Sequence, residues 1–383
     1  MGKKKVLVGL SGGVDSSVSA LLLKEQGYDV HALFMKNWDD DDGSPYCSIK
    51  EDFMDAAFIA DQLSIPLHQV NFSKEYKDRV FSYFLSELEA GRTPNPDILC
   101  NKEIKFKEFY NYAINKQYDF IATGHYALTD NKSLFKGKDI SKDQSYFLHA
   151  IDKEVLEHTL FPLGNLEKKE VREIARQNNL VTSEKKDSTG ICFIGERPFP
   201  EFIGNYLGGE SGDIIDENNK KIGSHMGLVF YTLGQRQGLG IGGVKNAPDL
   251  PWYVAKKDLA NNTLTCVQGN DHPLLFSTEL ITKNIFLIES SLSSCFEGTA
   301  KVRYRQKDQE CKIELIENSL KLTFKRPQRS VTPGQSVVIY KDEKCLGVDK
   351  LQASIKSIFF CLESFLICIS LLRELLLSEQ ISL

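Results

Sequence analysis

The chain has 383 residues, of which 42% are hydrophobic and 26% are charged, which is the composition of a globular protein rather than of a disordered or fibrous one. This length allows two or three domains and at least one core that needs no disulfide or metal support. The formal net charge of −5 excludes a general polyanion-binding coat, so a nucleic-acid partner would have to bind a local basic surface.

The N-terminal part of the chain has the pattern of an α/β domain. The opening MGKKKVLVGL has an apolar run too short for a signal peptide, so we expect a cytoplasmic protein. Over the first ~200 residues, short β-branched runs alternate with helical patterns, which predicts βαβ units and a mainly parallel sheet. Strands are predicted over residues 6–10, 28–35, 67–71 and 120–123, and helices after the first strand, ending near Gly27, and over 51–63.

A glycine- and serine-rich loop lies between the first predicted strand and helix, where main-chain N–H groups and the helix dipole bind phosphate. No lysine follows its second glycine, so it is not a Walker A loop. It resembles the loop of pyrophosphatase-loop ATPases, which implies bound ATP with the α-phosphorus open to attack and Mg²⁺ offsetting the pyrophosphate charge. The loop residues are Gly9, Leu10, Ser11, Gly12, Gly13, Val14, Asp15 and Ser16.

Nine cysteines occur without any C-x-x-C pair, which argues against a zinc ribbon, a thioredoxin motif or a cysteine-ligated cluster. The acidic run at residues 39–42 is interpreted as a solvated loop, and no metal site is expected. A cysteine taken alone is most often a small buried hydrophobe.

Two segments place a cysteine in a more reactive setting. Two prolines precede Cys100, which we expect at the start of a helix, where the dipole and Lys102 or Lys105 would stabilise its thiolate. Cys192 follows a flexible Ser-Thr-Gly segment flanked by lysines. Such a loop can carry a thiol towards an active site, although spacing alone does not establish that it does.

Beyond about residue 204 the sequence is typical of β structure. We expect an ATP-binding domain over 1–203, a central mostly β domain over 204–272 and a β-barrel over 273–350. Asn261 and Asn262 predict a hairpin turn. Barrel strands are predicted near Val302, Ile313, Leu322 and Val337.

Residues 351–383 are far more apolar than the segments before them. Glu363, Arg373 and Glu374 interrupt the apolar runs, which fall short of the ~20 residues of a membrane span. We therefore predict an accessory amphipathic helix and no stable membrane insertion.

Together these motifs resemble those of the bacterial tRNA-specific 2-thiouridylases, from Val6 to about Gly347. The resemblance also rests on MKNW (35–38), TPNPDILCN (93–101), TGHYA (123–127), KDQSYFL (142–148), KKDSTGICFIGER (185–197), YTLGQRQGLGIGG (231–243) and VRYRQ (302–306). It implies a Rossmann-like α/β ATPase domain, a small central domain and a C-terminal β-barrel. It also implies adenylation of O2 of the wobble uridine of Lys, Glu and Gln tRNAs, followed by sulfur transfer from a cysteine persulfide.

The resemblance further implies roles for single residues. Cys192 would carry a persulfide supplied by a sulfur-relay protein or a cysteine desulfurase, and Cys100 would form a transient disulfide with it. Asp97 would handle a proton near the base. ATP would contact the loop, Met35 and Gly124, the target base would contact Asn95, Pro96 and Asp97, and tRNA would contact His125, Lys142, Asp143, Gln144, Arg303, Tyr304 and Gln335.

Simpler interpretations remain for some of these residues. Arg303 and Arg305 share one face of a predicted strand, which is more often a solvated face, and His125 alone would more often be structural. The chain also departs from the family after its last predicted strand, where Val348 and Asp349 replace a glycine-rich run.

Three alternative functions follow from the same residues. A loop ATPase that activates a carboxylate or an amide would need no paired cysteines. A cytidine-thiolating enzyme would carry C-x-x-C ligands. A tRNA-binding protein without catalysis would not need Asp15, Cys100 and Cys192.

Overall fold

The computed structural model describes residues 2–38, 49–187, 198–241, 250–283, 285–288, 292–348 and 351–355. The strands are β1 (Lys5–Gly9), β2 (Asp29–Lys36), β3 (Leu67–Asn71), β4 (Phe120–Ala122), β5 (Ala127–Thr129), β6 (Leu134–Lys136), β7 (Thr159–Leu160), β8 (Gly212–Ile215), β9 (Lys221–His225), β10 (Trp252–Asp258), β11 (Thr263–Gln268), β12 (Phe276–Thr282), β13 (Cys295–Lys301), β14 (Gln309–Ile316), β15 (Ser319–Arg329), β16 (Val338–Lys341), β17 (Lys344–Gly347) and β18 (Leu351–Ile355).

The helices are α1 (Val14–Glu25), α2 (Ile49–Gln62), α3 (Ser73–Tyr76), α4 (Ser82–Glu89), α5 (Pro96–Cys100), α6 (Phe109–Asn115), α7 (Ser145–Leu148), α8 (Lys153–Glu157), α9 (Lys168–Gln177) and α10 (Phe199–Gly204). A π-helical segment, Lys77–Phe81, joins α3 to α4, and a second, Asn101–Glu108, joins α5 to α6. Within the described part of the chain, no helix is long and apolar enough to cross a membrane.

The N-terminal sheet has the strand order β3-β2-β1-β4-β7, and its strands are parallel. The predicted strands and the parallel sheet are confirmed. Strand β1 is buried on both faces, as its run of apolar side chains requires. Helix α1 ends just before Gly27, whose φ of +88° is the left-handed conformation of a helix C-terminus. Because β1 lies between β2 and β4, the connections diverge there and open a crevice at the carboxyl ends of these strands.

The central sheet has the order β10-β11-β8-β9. Strands β10 and β11 form the predicted antiparallel hairpin, with Asn262 at a φ of +47° in its turn. Asparagine tolerates this left-handed conformation better than most residues, so the local sequence sets the turn.

The third sheet has the order β18-β12-β15-β14-β13-β16-β17-β6-β5. Strands β5 and β6 come from the N-terminal half of the chain, and β17 pairs with β6 through Cys345 and Leu134. The sequence did not predict this pairing, because the two strands are three residues long and their partner is remote in sequence.

One prediction about the barrel is wrong, and the helix predicted for the tail does not begin at residue 351. Strand β13 ends at Lys301, and Arg303 and Arg305 lie in the turn that follows instead of on one strand face. The tail begins with strand β18, which pairs with β12, so the predicted helix does not include residues 351–355. Its residues 356–383 lie outside the described residues, as do the acidic residues 39–42.

The backbone at Val348 adopts a conformation that favours glycine. Its φ is +109°, which is strained for a β-branched residue. The side chain is nevertheless fully buried in the barrel core.

Candidate active site

The glycine- and serine-rich loop, residues 9–16, follows β1 into the crevice. Serine hydroxyl groups hold the conformation of this loop through hydrogen bonds. The Ser16 hydroxyl accepts from the Ser11 N–H at 3.2 Å and donates to the Gly13 carbonyl at 3.1 Å. Ser17 also donates to Gly13, at 2.8 Å. Gly13 occupies the N-cap of α1 and has no side chain to cap the helix. The first backbone N–H groups of α1 are therefore suited to bind an anion.

Three glycines let this loop approach its neighbours. Gly12 has a φ of +74°, and a Cβ there would lie 2.3 Å from the Asp52 carbonyl oxygen. A Cβ on Gly124 would lie 2.8 Å from the Ser16 nitrogen. A Cβ on Gly9 would lie 3.1 Å from Met35 Cε. The structure thus brings the predicted ATP residues of β1, β2 and the segment after β4 to one edge of the sheet.

Asp15 at the start of α1 is bound by a lysine that the sequence analysis missed. Lys168 Nζ lies 2.7 and 2.8 Å from the two Asp15 oxygens, and its side chain is only 12% exposed. The Tyr126 hydroxyl donates to Asp15 at 2.8 Å. Lys168 is the first residue of α9, where the helix dipole disfavours a cation. A lysine at this unfavourable position is the feature of the sequence that could have indicated a role other than stabilising the helix.

Lys168 also connects the loop to Asp187, which it binds at 2.8 Å. Lys142 and Arg172 bind the same carboxylate at 2.7 and 2.9 Å. Burial alone would raise the pKa of Asp187, but the hydrogen bonds from Lys142 and Lys168 outweigh it and lower the pKa to about 2. Asp187 therefore stays charged and anchors the chain just before residues 188–197. That segment contains Cys192 and lies outside the described residues.

Cys100 lies inside a helix instead of at the predicted helix start. Helix α5 begins at Pro96, capped by the Asn95 side chain, which accepts from the Asp97 N–H at 3.1 Å. Cys100 is the last residue of α5, and the helical path continues beyond it. The effect of the helix dipole falls off within the first turn, so the dipole stabilises the Cys100 thiolate less than predicted. Lys102 Nζ lies 4.9 Å from the Phe286 ring centroid, a cation–π contact that directs it to that ring.

The Cys100 thiol is buried in an aromatic cluster that includes Trp38, Tyr76 and Phe81. Met35 packs against this cluster and also lies next to Gly9. The cysteine and the phosphate-binding loop are therefore connected through one side chain of β2.

Burial and the charge of Lys105 shift the pKa values of Asp97 and His125. Burial raises the pKa of Asp97, and Lys105 acts in the opposite direction. Burial, with Lys105, lowers the pKa of His125 to about 3. His125 Nδ1 lies 2.8 Å from the Thr123 hydroxyl, and the ring packs near Phe106. His125 is thus a neutral, internal side chain, which matches the structural interpretation more closely than an exposed tRNA contact.

Of the predicted tRNA residues after β6, Asp143 is internal, and Gln144 is half-buried. Asp143 accepts from the Ser145 hydroxyl at 3.0 Å and pairs with Lys301 at 3.1 Å, and its side chain is 1% exposed. That carboxylate joins the N-terminal half to the barrel and leaves no surface for RNA. Gln144 accepts from the Tyr126 N–H at 2.9 Å, so it supports the residue that binds Asp15.

The predicted tRNA residues of the barrel bind other parts of the protein. Arg303 donates to the carbonyls of Leu233, at 3.0 Å, and Ser330, at 2.8 Å, and burial lowers its pKa. The Tyr304 ring lies 4.2 Å from the Phe147 ring centroid. These residues connect the central sheet, the barrel and the N-terminal half, a role that sequence spacing could not indicate.

The fold and the site together define a nucleotide-binding α/β enzyme with appended β domains. They combine a parallel sheet, an anion-binding loop at its switch point, a buried cysteine and two β units. Comparison with known families agrees. The tRNA methyl transferase HUP domain matches residues 4–196, the tRNA methyl transferase PRC-barrel domain residues 200–268, and the aminomethyltransferase beta-barrel domain residues 277–349.

Curated relatives are similar over nearly the whole chain. It is 57% identical over 354 residues to the tRNA-specific 2-thiouridylase MnmA of Francisella tularensis subsp. holarctica (strain FTNF002-00 / FTA), covering 91% of this chain and 99% of that protein. The MnmA of F. tularensis subsp. novicida (strain U112) gives the same values, 57%, 91% and 99%. The chain belongs to the tRNA-specific 2-thiouridylase family, as its motifs predicted. A solved NMN synthetase of F. tularensis is 18% identical, and the match covers 53% of this chain and 73% of that one. Its TM-score of 0.33 is too low to support any argument about the fold.

Proposed function

We propose that this protein is an ATP-dependent sulfurtransferase that replaces the 2-oxygen of the wobble uridine of tRNA with sulfur. The observation that carries the proposal is the uncapped N-terminus of α1 at the switch point of the sheet, in a chain of the 2-thiouridylase family. The substrates are the Lys, Glu and Gln tRNAs, and the compartment is the cytoplasm, where tRNA is modified. The domains are proposed as residues 1–203, 204–272 and 273–350, with the family matches meeting near both boundaries.

The loop residues would bind the phosphates of ATP through backbone N–H groups, with Met35 and Gly124 completing the nucleotide site. Among the described residues, no group of three or more His, Cys, Asp or Glu side chains could hold a metal ion. Asp15 is the carboxylate of the loop, and both of its oxygens bind Lys168. We therefore propose that Mg²⁺ enters with ATP and is held mainly by phosphate oxygens.

The first chemical step would be attack of uridine O2 on the α-phosphorus. An O–P bond forms, the bond to the β-phosphate oxygen breaks, and pyrophosphate leaves. The 2-oxygen, a poor leaving group in uridine, then departs readily as part of AMP. Asp97, beside Asn95 and Pro96, would handle the N3 proton of the base.

The second step would use a persulfide on Cys192, supplied by a cysteine desulfurase or a relay protein. Its terminal sulfur attacks C2, AMP leaves, and the base is linked to Cys192 through an S–S bond. The Cys100 thiolate then attacks the Cys192 sulfur, which forms a Cys100–Cys192 disulfide and frees 2-thiouridine. If Cys100 instead attacks the persulfide first, sulfide is released to attack C2 and the same disulfide results. A dithiol reductant must restore both thiols.

The test uses the purified full chain with unmodified tRNA, ATP, Mg²⁺, and cysteine plus a cysteine desulfurase. We expect tRNA-stimulated release of pyrophosphate, and 2-thiouridine in the digested RNA by mass spectrometry. Omitting ATP should abolish the product. Tight tRNA binding without pyrophosphate release or 2-thiouridine would reject the proposal and leave the non-catalytic tRNA-binding protein.

Replacing Asp97 with asparagine should separate stability from activity. Burial raises the pKa of Asp97, so the folded state binds this proton more strongly than the unfolded state does. The contribution of the carboxyl group to the stability of the folded protein is therefore lost as pH rises through the folded-state pKa. We expect Asp97→Asn to melt higher than wild type at pH 8 and by a smaller margin at pH 4. Thiolation should fall about 10²-fold, because the proton-handling group is lost.

Melting temperatures from pH 4 to pH 8 and single-turnover thiolation rates check this result. Asp61→Asn, at an exposed position in α2, is the matched control and should change neither. A stability gain that is independent of pH would exclude burial of the charged carboxylate as its cause.

A further inference from the structure

A turn of the barrel contacts the segment that leads to Cys100. The barrel turn, residues 332–335, lies between β15 and β16, and the approach segment, residues 92–95, leads into α5. The Thr93 N–H donates to the Pro333 carbonyl at 2.9 Å, and Gln335 Nε2 donates to the Thr93 carbonyl at 2.8 Å. Both backbone polar groups of Thr93 are therefore bound by the barrel.

The contact is close enough to require glycine. Gly334 has a φ of +94°, and a Cβ there would lie 2.8 Å from the Thr93 nitrogen and 2.9 Å from Arg92 Cβ. A side chain at residue 334 would be strained and would push the approach segment away.

The approach segment is also held on its other sides. Arg92 makes two hydrogen bonds of 2.7 Å to the Glu87 carboxylate of α4. The Thr93 hydroxyl lies 3.4 Å from the Thr232 hydroxyl of the central unit. Residues from all three sequence regions therefore meet at Thr93.

The barrel turn itself is anchored. The Leu351 N–H of β18 donates to the Gln335 carbonyl at 2.8 Å, and the Gly334 N–H donates to the Leu351 carbonyl at 3.2 Å. Arg303 lies 3.3 Å from the Thr332 hydroxyl. A turn held in this way can act as a fixed support for a neighbouring segment.

We propose that the barrel turn sets the position of the approach segment and, through it, of Asp97 and Cys100, with Gly334 and Gln335 as positioning residues. Gln335 then acts on catalysis through Thr93, whereas the family resemblance implied a tRNA contact. The activity test rests on the proposed function. A displacement of about 1 Å in a reacting group can cost about 10²-fold in rate.

Gln335→Ala and Gly334→Ala test this role. We expect kcat for 2-thiouridine formation to fall about 10- to 100-fold, with the KM and Kd for tRNA changed by less than about twofold. Alkylation of Cys100 by iodoacetamide without tRNA, followed peptide by peptide in the mass spectrometer, should become severalfold faster. A displaced approach segment would loosen the packing of α5, the helix that carries the buried thiol.

Two matched controls exclude general effects. Gln309→Ala removes the same amide from β14 of the barrel. Gly27→Ala introduces a Cβ at a similar φ of +88° but with no atom within 4 Å. Both should leave kcat and Cys100 alkylation unchanged, although Gly27→Ala should melt lower.

A rise in tRNA Kd with unchanged kcat and unchanged Cys100 alkylation would overturn the proposal in favour of a tRNA contact. Wild-type values of all three quantities in both variants would overturn it as well. If the wild type forms no 2-thiouridine, the proposed function fails, while Cys100 alkylation still tests the position of the approach segment.

Discussion

Cys100→Ala is expected to lower thiolation in a single turnover without reductant by at least about 10³-fold, while leaving tRNA-stimulated pyrophosphate release within about threefold of wild type. The first step needs the phosphate-binding loop and Asp97, and the thiol enters only when the S–S bond is broken. In the route in which the persulfide attacks C2, the variant should accumulate a protein–tRNA adduct linked through Cys192 that dithiothreitol cleaves. Non-reducing electrophoresis with labelled tRNA detects that adduct.

Cys311→Ala is the matched control, because Cys311 is also a fully buried cysteine but lies on β14 of the barrel. Its thiolation should remain within about twofold of wild type once melting temperatures show that it is folded. Product formation by Cys100→Ala at the wild-type rate without reductant would remove Cys100 from the reaction. Loss of pyrophosphate release as well would give it a role in binding or folding instead.

The N-terminal sheet could be predicted from sequence because its signals are local. Strand β3 occupies the residues predicted for it, and α1 ends before Gly27 because only a few residues determine each feature. The anion-binding loop was equally predictable, since a strand, a glycine-rich turn and a helix suffice to form it.

The rest of the site depends on partners that are remote in sequence. Lys168 and Asp15 are 153 positions apart, and nothing local to either residue indicates the other. The family resemblance implied that Arg303 contacts tRNA, but the fold satisfies its guanidinium with carbonyl groups of two different units. A sequence pattern identifies which side chains are polar, and only the fold determines which polar groups they meet.

Lys168→Ala should lower tRNA-stimulated pyrophosphate release by about 10²- to 10³-fold. Lys168 is the cation shared by Asp15 and Asp187, and without it Asp15 keeps only the Tyr126 hydroxyl among the partners described above. The first turn of α1 would then lack the positive charge that stabilises the phosphates it is suited to bind, and the uncompensated Asp15 carboxylate would repel them as well. The expected loss is comparable to that caused by removing one donor of an electrostatic stabilising site.

Lys169→Ala is the matched control in the same turn of α9, because the Lys169 side chain is 80% exposed and pairs with Glu167. It should change pyrophosphate release by less than about twofold, as expected for a surface ion pair. The double variant Lys168→Met with Asp15→Asn removes both charges, so it should melt higher than Lys168→Ala and remain inactive. If the double variant regains activity together with stability, Lys168 acts only by holding the fold, because its charge would then not be needed for the reaction of ATP.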